Sequence, residues 1–200
     1  MAQLIAHHGF MAAIDKSPQE LQEARRFALR PAGADDVPAL AGLGRESFCA
    51  AFGHLYRPDD LAAFLGDVYD DEVVAREIAD PDAYLHLACD ETGLLAYCKL
   101  RRARPYADHS DAANPMMLNQ LYTRPDLTGR GVGAALMEWA IEESRKCGCD
   151  AIQLSVWSEN HAAQRFYARY GFVKIADIDF WVGSHRDEEF LYELRLGERQ

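Results

Sequence analysis

From Phe27 onward the apolar and polar positions follow two different periods, and the switches between them predict an α/β chain. Residues 27–30 read as a short strand, after which Asp35 or Asp36 can cap a helix that carries Pro38 in its first turn and runs toward Phe48. Two more helices are predicted, at 59–65 behind Pro58 and at 71–78, where Asp80-Pro81 stops the chain from continuing. Residues 84–89 and 94–100 alternate like strands on either side of Asp90-Glu91-Thr92-Gly93, the pattern of an antiparallel hairpin. The stretch 101–115, with Pro105, Pro115 and several aspartates, reads as a looser connection.

The second half is more sharply patterned. A strand at 117–123 is followed by Val132, Ala135, Leu136, Trp139 and Ala140, spaced as one face of a helix that must pack on the sheet. Residues 151–157 form an apolar strand, 160–170 a second amphipathic helix, and Gly171 its left-handed stop. Strands at 172–175, 180–182 and 189–196, arranged around a turn at 183–187, close the pattern. The expected architecture is one domain over 25–200 with a mixed, mostly antiparallel sheet flanked by helices, preceded by an extension at 1–24.

Composition narrows the function classes. The 200 residues are 49% hydrophobic, enough for a real core without metal or disulfide staples. Lys and Arg number 21 against 32 Asp and Glu, a net charge of -11 that argues against nucleic acid or an anionic membrane as partner and favours cations. No apolar run approaches the roughly 18 residues of a membrane-spanning helix, and the first residues lack a secretory signal pattern, so a cytoplasmic location is expected. Five scattered cysteines fit reduced thiols, and Cys147-Gly148-Cys149 has no second Cys/His pair at zinc spacing, so no metal is expected.

Candidate chemistry begins at Thr128-Gly129-Arg130-Gly131-Val132-Gly133, between a predicted strand and a predicted helix. Glycines let the main chain approach a ligand, and unpaired N–H groups at a helix start favour a pyrophosphate. The turn lacks the third small residue of the dinucleotide fingerprint and the Gly-Lys-Ser/Thr of an ATPase loop.

Downstream stand Asn160, Ala163, Phe166, Tyr167, Gly171 and Phe172 in the pattern Asn-x-x-Ala-x-x-Phe-Tyr-x-x-x-Gly-Phe. Together with Thr128, Gly131 and Gly133 of the turn, this resembles the GNAT family of N-acetyltransferases, closely over 118–172 and more weakly over 27–196. The ending Asp179-Phe180-Trp181-Val182-Gly183 is similar to that of the branch of PaiA-like polyamine acetyltransferases. The resemblance implies acetyl-CoA as co-substrate. The main chain of Leu121, Tyr122 and Thr123 would pair with the pantetheine arm, and the turn of Thr128, Gly129, Arg130, Gly131, Val132, Gly133 and Ala134 would hold the pyrophosphate. Asn160 would hydrogen-bond the pantetheine and Tyr167 would stand near the thioester sulfur. Two positions depart from the family pattern: Thr128 replaces the usual Gln or Arg, and Met117 stands where some members carry a glutamate base.

The expected reaction is transfer of the acetyl group to a primary amine of a small molecule, with Tyr167 and His54 as the catalytic candidates and Glu46, Tyr56 and His86 as further relay candidates. Alternatives on the same scaffold are acetylation of a protein or peptide N-terminus and, because of Met117, a non-catalytic acetyl-CoA sensor. Arg101, Arg102 and Arg104 read as a solvated edge or a protein contact. The expected partners are a small-molecule amine and, as a homodimer, a second copy of the chain, although no residue pattern reports the oligomeric state.

Overall fold

The structure, a computed structural model, describes residues 27–127 and 130–197. The expected extension at 1–24 and the turn residues Thr128 and Gly129 lie outside the described residues.

Local chemistry sets the helices first. Pro38 and Pro58 sit in the opening turns of α1 (Val37–Phe52) and α2 (Pro58–Tyr69), where a missing N–H costs nothing. The Asp70 carboxylate accepts from the Glu72 N–H at 2.9 Å and starts α3 (Asp71–Ala79). Later come α4 (Val132–Lys146) and α5 (His161–Arg169), the second ended at Gly171 with φ 87°. The strands are β1 (Ala28–Pro31), β2 (Ala83–Asp90), β3 (Gly93–Arg102), β4 (Pro115–Thr123), β5 (Ala151–Trp157), β6 (Val173–Val182) and β7 (His185–Arg195). They form one sheet in the order β1-β2-β3-β4-β5-β7-β6. Among the described residues only the β4–β5 pair is parallel, so the sheet is mixed and mostly antiparallel, as expected.

Strand alternation divides the interior into two cores. On one face Leu118, Leu121, Ile152 and Leu154 pack under Val132, Leu136 and Ala140 of α4 and Phe166 and Tyr167 of α5. On the other, Leu87, Tyr97 and Tyr122 meet Phe48, Phe52, Phe64 and Tyr69 from α1 and α2, with Val74 of α3 beside them. Gly44 makes this second face possible: a Cβ there would stand 2.5 Å from the Tyr69 ring and 2.8 Å from the Tyr97 hydroxyl. No helix among the described residues is long and apolar enough to cross a membrane.

The C-terminal strands correct the sequence reading. The predicted strands at 172–175 and 180–182 are one continuous β6, and β7 begins at His185 rather than at Glu189. The reason is position at the sheet edge: among the described residues β6 pairs only with β7, so Asp177 and Asp179 can stay in the ladder while facing water. The turn shrinks to Gly183-Ser184, and Asp187 moves from a predicted turn into a strand.

Candidate functional site

The site starts from a fault in the sheet. β4 and β5 are paired only at Pro115–Ala151, Met116–Ile152 and Met117–Gln153, although the strands run on to Thr123 and Trp157. Just past the last pair, β3 faces Leu118 and Gln120 with adjacent residues, which leaves Asn119 as an extra residue in β4. Such a bulge bends its strand and increases the twist. Beyond it the strands diverge into a wedge, and β4 from Leu118 onward presents one backbone edge that pairs with no strand among the described residues.

Buried polar atoms converge on this wedge without partners. Asn119 Oδ1 and Thr123 Oγ1 on β4, Asn160 Nδ2 at the end of the β5–α5 connection and the Tyr167 hydroxyl on α5 all lack a hydrogen bond. A buried polar group left unpaired costs about 1–3 kcal/mol, so four near one opening point to a polar ligand that completes them.

The first turn of α4 supplies further donors. Gly131 caps it with φ 75°, a conformation that strains a side chain with a Cβ. The N–H groups of Val132, Gly133 and Ala134 belong to the helix start and have no intrahelical acceptor, whereas the Ala135 N–H already bonds to the Gly131 carbonyl at 3.0 Å. Gly133 sits against β4, where an added Cβ would lie 3.7 Å from Thr123 Oγ1. Arg130 is exposed beside this turn, and Arg124 is paired with Asp126 at 2.7 Å. The arrangement suits a phosphate group at the helix start with a linear, amide-bearing arm along β4.

On α5, Asn160 serves two directions. Its Oδ1 accepts from the Ala163 N–H at 3.1 Å and caps the helix, leaving Nδ2 free toward the wedge. Gln164 Nε2 fixes the approach by donating to the Trp157 and Ser158 carbonyls at 3.2 and 2.8 Å. Tyr167 is fully buried against Phe166 and Phe172, with ring centroids 5.5 and 5.7 Å away. Burial, with smaller contributions from Cys98 and Tyr122, pushes its phenol well above the usual value, so it remains a hydrogen-bond donor across the working pH range.

The opposite face of the wedge is different in kind. Tyr56, from the α1–α2 connection, donates to Asp187 Oδ2 at 2.5 Å, and His185 Nε2 lies 3.2 Å from Asp187 Oδ1. Glu189 is 2% exposed; burial chiefly, and the Asp187 charge secondarily, lift its carboxyl to about 7 against an opposing hydrogen bond with Ser155. Ser155 also bonds to Tyr106 of the β3–β4 connection, and Tyr106 lines a surface cavity of about 490 Å³ with Asp108, Asp177 and Asp179. Deeper in, the Tyr122 hydroxyl meets that of Tyr69 at 2.8 Å and Tyr97 donates to Gln120 at 3.0 Å.

The other residues singled out in the sequence are more scattered. His54 is exposed just past α1, and Glu46 is exposed on α1. His86 lies two strands from β4, stacked on Trp139 at 4.3 Å, and burial lowers it to about 4. Met117 is buried in the last β4–β5 pair. Arg101 and Arg102 are exposed, Arg101 paired with Asp80 at 2.6 Å, and Arg104 is exposed as well. Sequence reasoning missed Asp187, Glu189 and Tyr106. Their signal was present as the alternation Asp187, Glu189, Leu191, Glu193, but a run of acids beside Gly183-Ser184 reads as a solvated turn.

The chain is similar to known proteins in sequence and in fold. A family model described as "Acetyltransferase (GNAT) family" matches residues 46–172. An uncharacterized N-acetyltransferase of Lactobacillus delbrueckii subsp. lactis is 29% identical over 161 residues, covering 80% of this chain and 92% of that protein. The spermidine N(1)-acetyltransferase of Thermoplasma acidophilum is 24% identical over 155 residues, covering 76% of this chain and 90% of that one. Among solved structures, the PaiA N-acetyltransferase of Thermoplasma acidophilum in complex with coenzyme A superposes with a TM-score of 0.69 at 22% identity, over 85% of this chain and 99% of that one. At that identity the likeness establishes the fold.

Proposed function

Since the chain belongs to the acetyltransferase (GNAT) family, we propose that it transfers the acetyl group of acetyl-CoA to a primary amine of a small, polyamine-like molecule by direct attack on the thioester. The observation that carries this reading is the wedge: β4 and β5 part after Met117 and Gln153, and unpartnered buried atoms of Asn119, Thr123, Asn160 and Tyr167 surround the gap. The residues present fit the co-substrate. The α4 start from Gly131 to Ala134 would take the pyrophosphate, the free β4 edge over Leu121, Tyr122 and Thr123 the amides of the arm, and Asn160 Nδ2 a pantetheine carbonyl.

Tyr167 then meets the sulfur. A phenol of pKa about 10 is a weaker acid than a thiol of about 8.5, and burial raises this one further, so its role is a strong hydrogen bond to the departing thiolate rather than early proton donation. The amine faces a separate cost. Freeing the lone pair of an ammonium of pKa about 10.4 at pH 7 takes about 4.6 kcal/mol. Holding the two reactants in line within the wedge offsets part of that cost, since alignment alone can contribute several kcal/mol.

The small-amine acceptor is supported by the buried carboxylates of Asp187 and Glu189 on the open face, by the net charge of -11, and by the spermidine acetyltransferase among the relatives. Buried Met117 favours a second reading, an acetyl-CoA sensor without turnover, because that position offers no base. Thiol release from acetyl-CoA against spermidine, spermine, amino acids, aminoglycosides and short peptides separates the readings. Release dependent on the polyamines supports the proposal, release with peptides alone moves the acceptor to a protein N-terminus, and binding without release supports the sensor.

A further inference from the structure

We propose that Glu193 is a positioning residue for the acceptor amine: through Ser110 it fixes the β3–β4 connection, so that Tyr106 forms the β7-side wall of the amine site. The proposal rests on the acetyl-transfer reading above. Alternation along β7 turns Asp187, Glu189, Leu191 and Glu193 to one face, the face on which Asp187 meets Tyr56. Across the sheet Glu193 stands opposite Gln153, the last β5 residue paired with β4, and Leu191 stands opposite Ser155, where β4 and β5 have parted. Tyr106 spans this region. Its hydroxyl bonds to Ser155, and it lines a cavity together with Ile178 of β6, which pairs with Glu189, so it lies over β7 near Glu189 and Leu191. One wall of the acceptor side is Tyr56, tied to Asp187, and the other is Tyr106.

Apolar burial does not hold the second wall in place. Residues 103–114 form no helix or strand, and among them Ala112 alone is buried. Hydrogen bonds hold the connection instead. Next to β4, the Ala113 and Asn114 N–H groups donate to the Asp150 carboxylate at 2.6 and 3.0 Å, and Asn114 Nδ2 donates to the Gly148 carbonyl at 2.9 Å. Closer to Tyr106 the tie is Ser110, whose hydroxyl donates to Glu193 Oε2 and accepts from the Ala112 N–H at 3.1 Å. The His109 N–H donates to the Tyr106 carbonyl at 3.0 Å, and this turn carries the position of Ser110 to Tyr106.

Glu193 can serve as the anchor because it is itself held on strands. It is 4% exposed, with Oε1 taking Arg195 Nε at 2.6 Å and Oε2 taking Gln153 Nε2 at 2.8 Å beside the Ser110 hydroxyl. A buried carboxylate persists only when paired and hydrogen-bonded, so each of these contacts has a reason to stay closed. A carboxylate beside a guanidinium accepts and does not donate, which gives the Ser110 proton one direction to take. The same strand then anchors both walls, Asp187 through Tyr56 and Glu193 through Ser110, and β7 sets the width of the acceptor site.

The test is a double-mutant cycle of Ser110→Ala and Tyr106→Ala, read as kcat and KM for acetyl-CoA and for the amine that the wild type acetylates best. Absence of wild-type turnover with any amine would overturn the acetyl-transfer reading and this proposal with it; every other outcome bears on the proposal alone. Loss of the bond to Glu193 should raise KM for the amine about tenfold, with kcat and KM for acetyl-CoA changed by less than about twofold. Ser110→Thr, which keeps the hydroxyl, should return KM for the amine to within about threefold of wild type. In the Tyr106→Ala background, Ser110→Ala should add less than about twofold, because the wall that Ser110 positions is gone. An unchanged KM for the amine in Ser110→Ala, or a rise of about tenfold that persists without Tyr106, overturns the proposal. Parallel losses for both substrates also overturn it, since a general loosening of the fold moves both. Where Tyr106→Ala does not fold, Tyr106→Phe, which deletes the bond to Ser155, takes its place in the cycle with the same readings.

Discussion

On the α4 and α5 side the wedge between β4 and β5 is lined by neutral, fixed groups: the helix-start N–H groups after Gly131, Asn160 Nδ2 and the Tyr167 hydroxyl. On the α1 to α3 side it is lined by Asp187 and Glu189, carboxylates with aromatic neighbours. The difference follows from what each side would hold. A long anionic co-substrate with amides is matched by dipoles, which need no counter-charge in the protein. A cationic acceptor needs negative charge nearby, which the carboxylates of Asp187 and Glu189 offer, and burial raises that of Glu189 to about 7.

The largest effect that would break this comparison belongs to Tyr167. Its hydroxyl has no partner, so Tyr167→Phe deletes nothing that the free protein uses and should raise stability by about 1 kcal/mol. The same change should lower kcat about 100-fold while leaving acetyl-CoA affinity nearly intact. Calorimetric unfolding together with steady-state kinetics checks both halves. Undiminished turnover would remove Tyr167 from the chemistry.

Next in size is the pH dependence of stability on the acceptor side. Glu189 has its folded value raised from 4.5 to about 7, so the stability linked to its proton is fully present below 4.5 and is lost as pH rises through about 7. Glu189→Gln keeps the shape without the charge. The variant should match wild type at about pH 4 and exceed it by about 3 kcal/mol above pH 7. Denaturant titration at both pH values measures this, and a constant difference would show that the charge of Glu189 is not what burial penalises.

Smaller effects sharpen the co-substrate side. Gly131→Ala places a Cβ on a left-handed residue, which costs about 1–2 kcal/mol, and acetyl-CoA affinity measured by calorimetry should weaken about tenfold as the turn relaxes. Asn160→Ala removes the α5 cap and should cost about 1 kcal/mol in thermal unfolding. Acetyl-CoA affinity should fall in the same variant; unchanged affinity would confine Asn160 to capping.

The two sides also differed in how well they could be read from the sequence. Helix α4, strand β5 and the Asn160 to Phe172 pattern combine strong periodicity with residues whose placement is local: Val132 to Ala140 repeats as a helix face and Gly171 ends the next one. The acceptor side is assembled from distant segments. Asp187 faces inward only because the β6–β7 turn has two residues, and Glu189 meets Ser155 and Tyr106 only after β7 crosses back to pair with β5. The wedge itself was hidden for a related reason. Asn119 bulges because of the register between β3 and β4, a long-range property that no alternation within 117–123 reveals. His54 drew attention because histidine is the residue type suited to proton relay near neutral pH, yet its exposure past α1 depends on how the α1–α2 connection folds over Asp187.

The central claim is that co-substrate and amine enter one gap from opposite sides, and calorimetry with a conjugate joining spermidine to the CoA sulfur through an acetyl linker tests it most directly. The account predicts that the conjugate binds at least about 100-fold more tightly than CoA, because it occupies both sides of the wedge at once. A conjugate that binds no better than CoA itself would contradict it, and would mean that the carboxylate face beside β7 does not receive the amine.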